Sequence, residues 1–326
     1  MGLKVRASSP FAIDLIRGAL LLGKYDLQPS WSSWDAEIED EVIKGAIEMA
    51  RNLAGEEILM KADKDEELIK KLISDCFGAE RQIDTLGELL DLALQNLNRL
   101  ESCGKESASD LAIMKAEYYE ETKTPMMLSK NKVAANAMAV VLAYAGFIWS
   151  LTPKNQGNKA FLLVPITLYD KEAVKFIREA RASEEKKLPR YVTYEWALAL
   201  WMTVNYDVNG TFKVLYAEKG RNRINVKPFI TIDLAAERTA LQKVFGDNFD
   251  EAKEYLKSIL KSVLSRTPDP LAVRFTNALY QVAHHSMSPI ELKNLGLREY
   301  ASLLSAESKI PPVVRQMGRV AQLVKV

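Results

Sequence analysis

His284 and His285 are the only two histidines in the chain, and they are neighbours. On a helix their side chains diverge by about 100°, so they cannot grip one ion together. Beside Ser286 a lone histidine could serve as a general base, but the pair stands just before Met287-Ser288-Pro289. There, capping the last carbonyls of a helix accounts for it equally well. A zinc site needs further ligands. Cys76, followed by Phe77-Gly78, and Cys103, followed by Gly104, each lie near a predicted helix end with no second ligand at metal spacing. Both read as structural thiols. The acid runs Glu37 to Glu41 and Asp63 to Glu67 cluster carboxylates, but a calcium loop needs alternating oxygen ligands around a glycine, which Asp-Lys-Asp-Glu-Glu lacks. They read as solvated helix faces, and no carboxylate pair is singled out as acid and base. There is no glycine-rich phosphate loop and no Gly-x-Ser-x-Gly elbow. The expectation is a protein without catalytic residues, metal or cofactor; a hydrolase or transferase built on His284 or His285 is the remaining enzymatic reading.

The stronger chemical signal is cationic. Lys213, Lys219, Arg221, Arg223 and Lys227 crowd one predicted meander, opposed by Asp207 and Glu218 alone. Alternate residues of a strand share a face, so Lys219, Arg221 and Arg223 are able to point one way, toward a phosphate backbone. The loop Lys154, Asn155, Gln156, Gly157, Asn158, Lys159 joins lysines suited to phosphates with amides suited to base edges, and its glycine permits close approach. Arg274, Arg315, Arg319 and Lys325 add a basic stripe near the C-terminus. Each has a plainer reading: a hairpin kept soluble by charge, a polar loop, or a surface facing the chain's own acids.

The elements that must carry these groups are organised around an apolar segment. From Ala134 to Leu151, eighteen residues carry no charge, and such a segment must be buried on nearly every face. Asn136 and Ser150 near its ends, in a chain otherwise rich in charge, favour a core helix over a membrane span. Ala160 to Leu168 reads as a buried strand. Before them, Pro10 to Gly23 forms an amphipathic helix, and a connection carrying Trp31 and Trp34 follows. Asp35 to about Tyr119 reads as an arm of about four helices. After them come a charged helix over Asp170 to Ala182 and a Trp-rich helix over Tyr191 to Thr203, expected to pack beside the apolar one. Asn209-Gly210 marks a hairpin. The segments 234–244, 250–264, 270–285, 289–304 and 311–324 are separated by Gly and Pro breaks as bundle helices are. The predicted architecture is α+β and mostly helical. Residues 1–232 form an N-terminal domain with an acidic helical insertion (35–121) and a small antiparallel sheet (160–168 and 205–232), and 233–326 form a C-terminal helical bundle.

The net charge of +1 hides a division of sign, because Asp35 to Glu121 holds 23 acidic and 10 basic residues. The remainder is correspondingly positive and suited to a polyanion or an acidic protein surface. Two cysteines make no disulfide framework, and the opening Met-Gly-Leu-Lys-Val-Arg lacks the apolar run of a signal peptide. The expected location is cytoplasmic, with no membrane partner.

The order of these parts resembles a known family. The helix ending in Tyr144-Ala-Gly-Phe-Ile-Trp149, the polar loop, the strand Phe161-Leu-Leu-Val-Pro-Ile166, a Trp-rich helix, a small sheet and a helical C-terminal domain look like the Cas-eight type large subunit of archaeal type I-A CRISPR interference complexes. The opening Ser9-Pro-Phe-Ala-Ile-Asp-Leu-Ile-Arg-Gly-Ala-Leu-Leu-Leu-Gly23 is similar to that family's N-terminal segment. The resemblance implies a non-catalytic subunit of a crRNA-guided antiviral surveillance complex. Such a subunit helps recognise the protospacer-adjacent motif, stabilises opened target DNA and contacts neighbouring subunits. Its implied partners are crRNA, target DNA and other subunits of the complex. The alternative is a protein-interaction scaffold without direct nucleic-acid contact.

Overall fold

The computed structural model describes residues 2–7, 10–23, 35–53, 65–78, 83, 85–104, 108, 111–115, 135–150, 159–168, 171–182, 189, 191–219, 224–305 and 310–325. The chain is a mostly helical α+β protein that divides into two compact units, Met1–Ile177 with Gly210–Thr231, and Arg178–Asn209 with Ile232–Val326. The last of these boundaries, between Thr231 and Ile232, lies one residue from the expected division at 232/233. The Trp-rich segment and the end of the charged helix, however, belong to the C-terminal unit.

The first unit is built around α6 (Ala137–Ser150), whose side chains from Ala137 to Trp149 are buried on every side. The absence of charge that marks this segment is what lets it lie there. α1 (Pro10–Gly23) begins and ends where its Pro and Gly predict, and it crosses α6 in backbone contact. A Cβ on Gly146 would collide with the Leu15 carbonyl, so only glycine permits this approach. α2 (Asp40–Leu53) covers both helices with Val42, Ile43, Ala46, Ile47 and Ala50, the i, i+3, i+4 stripe of its sequence. α4 (Leu86–Gln95) packs on α2 and α6 behind a capping box in which Thr85 and Glu88 each bond the other's backbone. α3 (Asp65–Phe77) and the short α5 (Ala112–Lys115) complete the acidic arm.

Three features of this unit depart from the sequence reading. Residues 2–6 and 35–39 pair as antiparallel strands, β1 (Gly2–Arg6) and β2 (Asp35–Glu39), in register from Gly2↔Glu39 to Arg6↔Asp35. Each has only five residues, too few to display an alternation, and Ile38 fits the following helical period equally well. Cys76 and Cys103 are joined in a disulfide and are not separate thiols. Finally, Asn209-Gly210 turns no hairpin. The residues before it come from a helix, and Gly210 instead opens β4. A Cβ there would lie 2.8 Å from the Thr167 carbonyl oxygen.

That contact belongs to the sheet β3 (Lys159–Leu168), β4 (Gly210–Lys219) and β5 (Ile224–Asp233), ordered β3-β4-β5. β3 and β4 are antiparallel from Lys159↔Glu218 to Leu168↔Gly210, with an irregularity between Pro165 and Thr167. β3 packs on α1 and α6. A buried asparagine ties the pieces together. The Asn136 side chain, 1% exposed, accepts from the N–H groups of Arg6 (3.2 Å) and Ala139 (3.1 Å), so it caps α6. It donates to the carbonyls of Lys4 (2.7 Å) and Glu101 (3.3 Å).

The second unit follows the predicted bundle closely: α9 (Leu234–Phe245), α10 (Phe249–Val263), α11 (Pro270–Ala283), α12 (Pro289–Ser305) and α13 (Pro312–Leu323). Asp233 and Asp269 accept backbone N–H groups at the starts of α9 and α11. α7 (Lys171–Ala182) spans the division between the units. The Trp-rich helix, α8 (Glu195–Asn205), buries Ala197 to Val204 against α9, α10 and α11, and not beside α6 as expected. Arg238 of α9 holds the end of that connection by donating to the carbonyls of Tyr206 (2.9 Å) and Val208 (3.1 Å) and to the Asn209 side chain (2.9 Å). Among the described residues no helix is long and apolar enough to cross a membrane.

Candidate nucleic-acid interface

Of the residues expected to meet nucleic acid, Lys154, Asn155, Asn158, Arg221 and Arg223 lie outside the described residues. Lys159 begins β3 and Lys219 ends β4, which puts both at the same end of the ladder, with Lys159 in register with Glu218. Lys227 is exposed on β5. Lys213 is a correction to the expected meander. Its Nζ lies 2.7 Å from Asp14 Oδ2 of α1, with the two side chains 23% and 11% exposed. Its charge is compensated within the first unit, and it packs the sheet onto α1. The loss of water around both groups makes the pair a condition of that packing.

The second unit places the C-terminal cations on a defined surface. α13 contains no acidic residue; its buried stripe is Val314, Met317, Gly318, Val320 and Ala321, and Arg315, Arg319 and Gln322 are exposed. Its neighbours α10 and α12 approach closely. A Cβ on Gly296 of α12 would lie 2.6 Å from Ala321 Cβ, and one on Gly318 would lie 3.1 Å from the Tyr300 ring. Arg319 extends over Tyr255 of α10, with its Cζ 5.6 Å from the ring centroid, and donates to Tyr255 Oη at 3.3 Å. The Tyr255 hydroxyl donates in turn to Glu251 at 3.2 Å. A guanidinium seated on an aromatic face keeps its remaining N–H groups free to bind an anion. Arg315 stands one turn away on the same helix, and Lys325 follows α13, anchored by its backbone N–H on the Val244 carbonyl (2.8 Å). Arg274 on α11 is turned toward Glu299 at 4.0 Å and is well exposed. Two of the three lysines of α10 are compensated within their own helix: Lys253 meets Asp250 and Lys257 meets Glu254, each at 2.6 Å.

The structure therefore brings Arg315 and Arg319 together and leaves the meander cations in the other unit. Sequence reasoning missed Tyr255, the seat of Arg319. The signal was available, because Tyr255 interrupts the polar face of α10, but nothing local connects it to a residue 64 positions away.

The two histidines sit where helix capping puts them, with His284 closing α11 and His285 in the left-handed region at φ 59°. His284 Nε2 lies 3.1 Å from Glu237 Oε2, and its ring lies 4.3 Å from that of Tyr280. Burial pushes the Glu237 carboxyl above its ordinary range, and the neighbouring His284 opposes this. Tyr280 is raised as well, first by burial and then by the charges of Glu237 and Glu195. This is an oriented imidazole, but its hydrogen bond goes to a carboxylate, and the hydroxyl of Ser286 takes no part in it.

No family model matches the chain, and a comparison with curated proteins returns no match.

Proposed function

We propose that the protein is a non-catalytic nucleic-acid-binding scaffold subunit, working as the resemblance to the large subunit of archaeal type I-A CRISPR interference complexes implies. Its partners are crRNA, opened target DNA and neighbouring subunits in the cytoplasm. The observation that supports this reading best is α13, a helix with Arg315 and Arg319 on its open face and no carboxylate of its own. Cations fixed on a packed helix suit a phosphate backbone, which attracts them regardless of base sequence. Lys159, Lys219 and Lys227, and with them Arg221 and Arg223, supply further phosphate contacts, and Lys154, Asn155 and Asn158 meet bases. Binding of labelled DNA or RNA, by the protein alone or within its assembly, weakens steeply as salt rises. Absence of any salt-sensitive binding overturns the proposal. Changing Asn155 or Asn158 alters preference between sequences, whereas phosphate-binding residues change affinity uniformly.

The internal pairing of Lys213 with Asp14 favours a second reading, a scaffold whose charged surfaces dock on proteins alone. Under that reading, particle size falls with rising salt while nucleic acid has no effect.

A further inference from the structure

We infer that the Cys76–Cys103 disulfide is a redox latch on α3: its reduction releases that helix from the first unit while the α1, α2, α4 and α6 core stays folded. The bond joins the last turn of α3 to the segment following the 3-10 turn Leu97–Arg99, across 27 residues. Between its two ends lies α4, which is held independently against α2 and α6, as α2 is against α1 and α6. α3 has no comparably close backbone partner among the described elements. It contributes Ile69, Leu72, Ile73 and Cys76 as buried side chains, and part of their cover is the 103–104 segment itself. Gly104, at φ +61°, approaches so closely that a Cβ there would collide with Leu72 Cδ1 and lie 3.2 Å from Cys76 Sγ. The covalent tie and the contacts it enforces are therefore the closest backbone hold on α3 among the described elements.

The two sulfurs differ in access, and this sets the chemistry. Cys76 is 2% exposed, and Cys103 is partly exposed. A thiolate of a small dithiol attacks Cys103 Sγ; the S–S bond breaks, and its electron pair leaves on Cys76 Sγ, which takes a proton. The second thiol of the reductant then displaces Cys103 from the mixed disulfide. The reductant becomes a cyclic disulfide, and the chain gains two thiols, two electrons and two protons in all. Oxidation by a disulfide of the same class reverses each step.

The test is hydrogen exchange on the full chain with and without dithiothreitol, and on the C76S/C103S double variant without it. Reduction and the double variant both accelerate the amides of residues 68–77 by about tenfold or more, and those of α1 and α6 change by less than about twofold. In the C103S variant, iodoacetamide labels Cys76 at the rate of an accessible thiol. Unchanged exchange in α3 overturns the inference, as does a Cys76 that stays protected in C103S. Equal acceleration of α1 and α6 overturns it too, because the bond is then a staple of the whole unit.

Discussion

Asn136 shows how much one side chain can settle. It satisfies two backbone N–H groups and two carbonyls drawn from β1, the start of α6 and the turn at Glu101. Asn136→Ala removes one buried and three part-buried bonds, so we expect a loss of about 2–4 kcal/mol in urea unfolding, at about 1 kcal/mol per bond. Glu237 behaves differently. Its carboxyl is raised chiefly by burial, so the cost of its charge is absent at acid pH and fully present once pH has passed its folded-state value. The Tm of Glu237→Gln, compared with that of the parent, therefore shifts in the variant's favour as pH rises from about 4 toward 7. A shift the other way shows that the bond to His284 outweighs burial. Neither residue was legible as important from its neighbours in the chain. The same holds for Lys213, whose type and strand position suggest a phosphate ligand; the carboxylate that compensates it lies 199 positions away.

Elements were read best where one local pattern sufficed. α1 and the five helices after Asp233 show an apolar period of 3.6 bounded by Pro, Gly or Asp, and their ends fall within two residues of the sequence reading. α6 is declared by the absence of charge alone. Pairing was legible for the small sheet of 160–168 with 205–232, and not elsewhere. β1 and β2 are too short to show a period, and the turn chemistry of Asn209-Gly210 misled because a hairpin needs strands on both sides. α8 is apolar on most faces, which says that it is buried but not against what. Helix contacts also decide the fate of small residues. Gly146→Ala forces a methyl group into the Leu15 carbonyl and should cost about 1–3 kcal/mol or more. Gly45→Ala, on α2 with nothing within 4 Å, should gain up to about 1 kcal/mol from helix propensity. Thermal unfolding of the two variants tests whether α1 and α6 touch backbone to backbone; equal effects would show that they do not.

For the whole molecule, the charge separation is the feature that most needs a partner. Residues 35–121 hold 23 acidic residues against 10 basic ones, while α13 holds arginines without a carboxylate. In the proposed assembly the cationic surface lies on nucleic acid, and the acidic arm is kept from it by repulsion. The most direct test is the salt dependence of DNA binding by R315E/R319E, compared with the parent by fluorescence anisotropy. Loss of two phosphate contacts should lower affinity for all sequences and reduce the slope of log K against log salt by about 1.5–2. Binding by the double variant with the parent's affinity and slope would contradict the account.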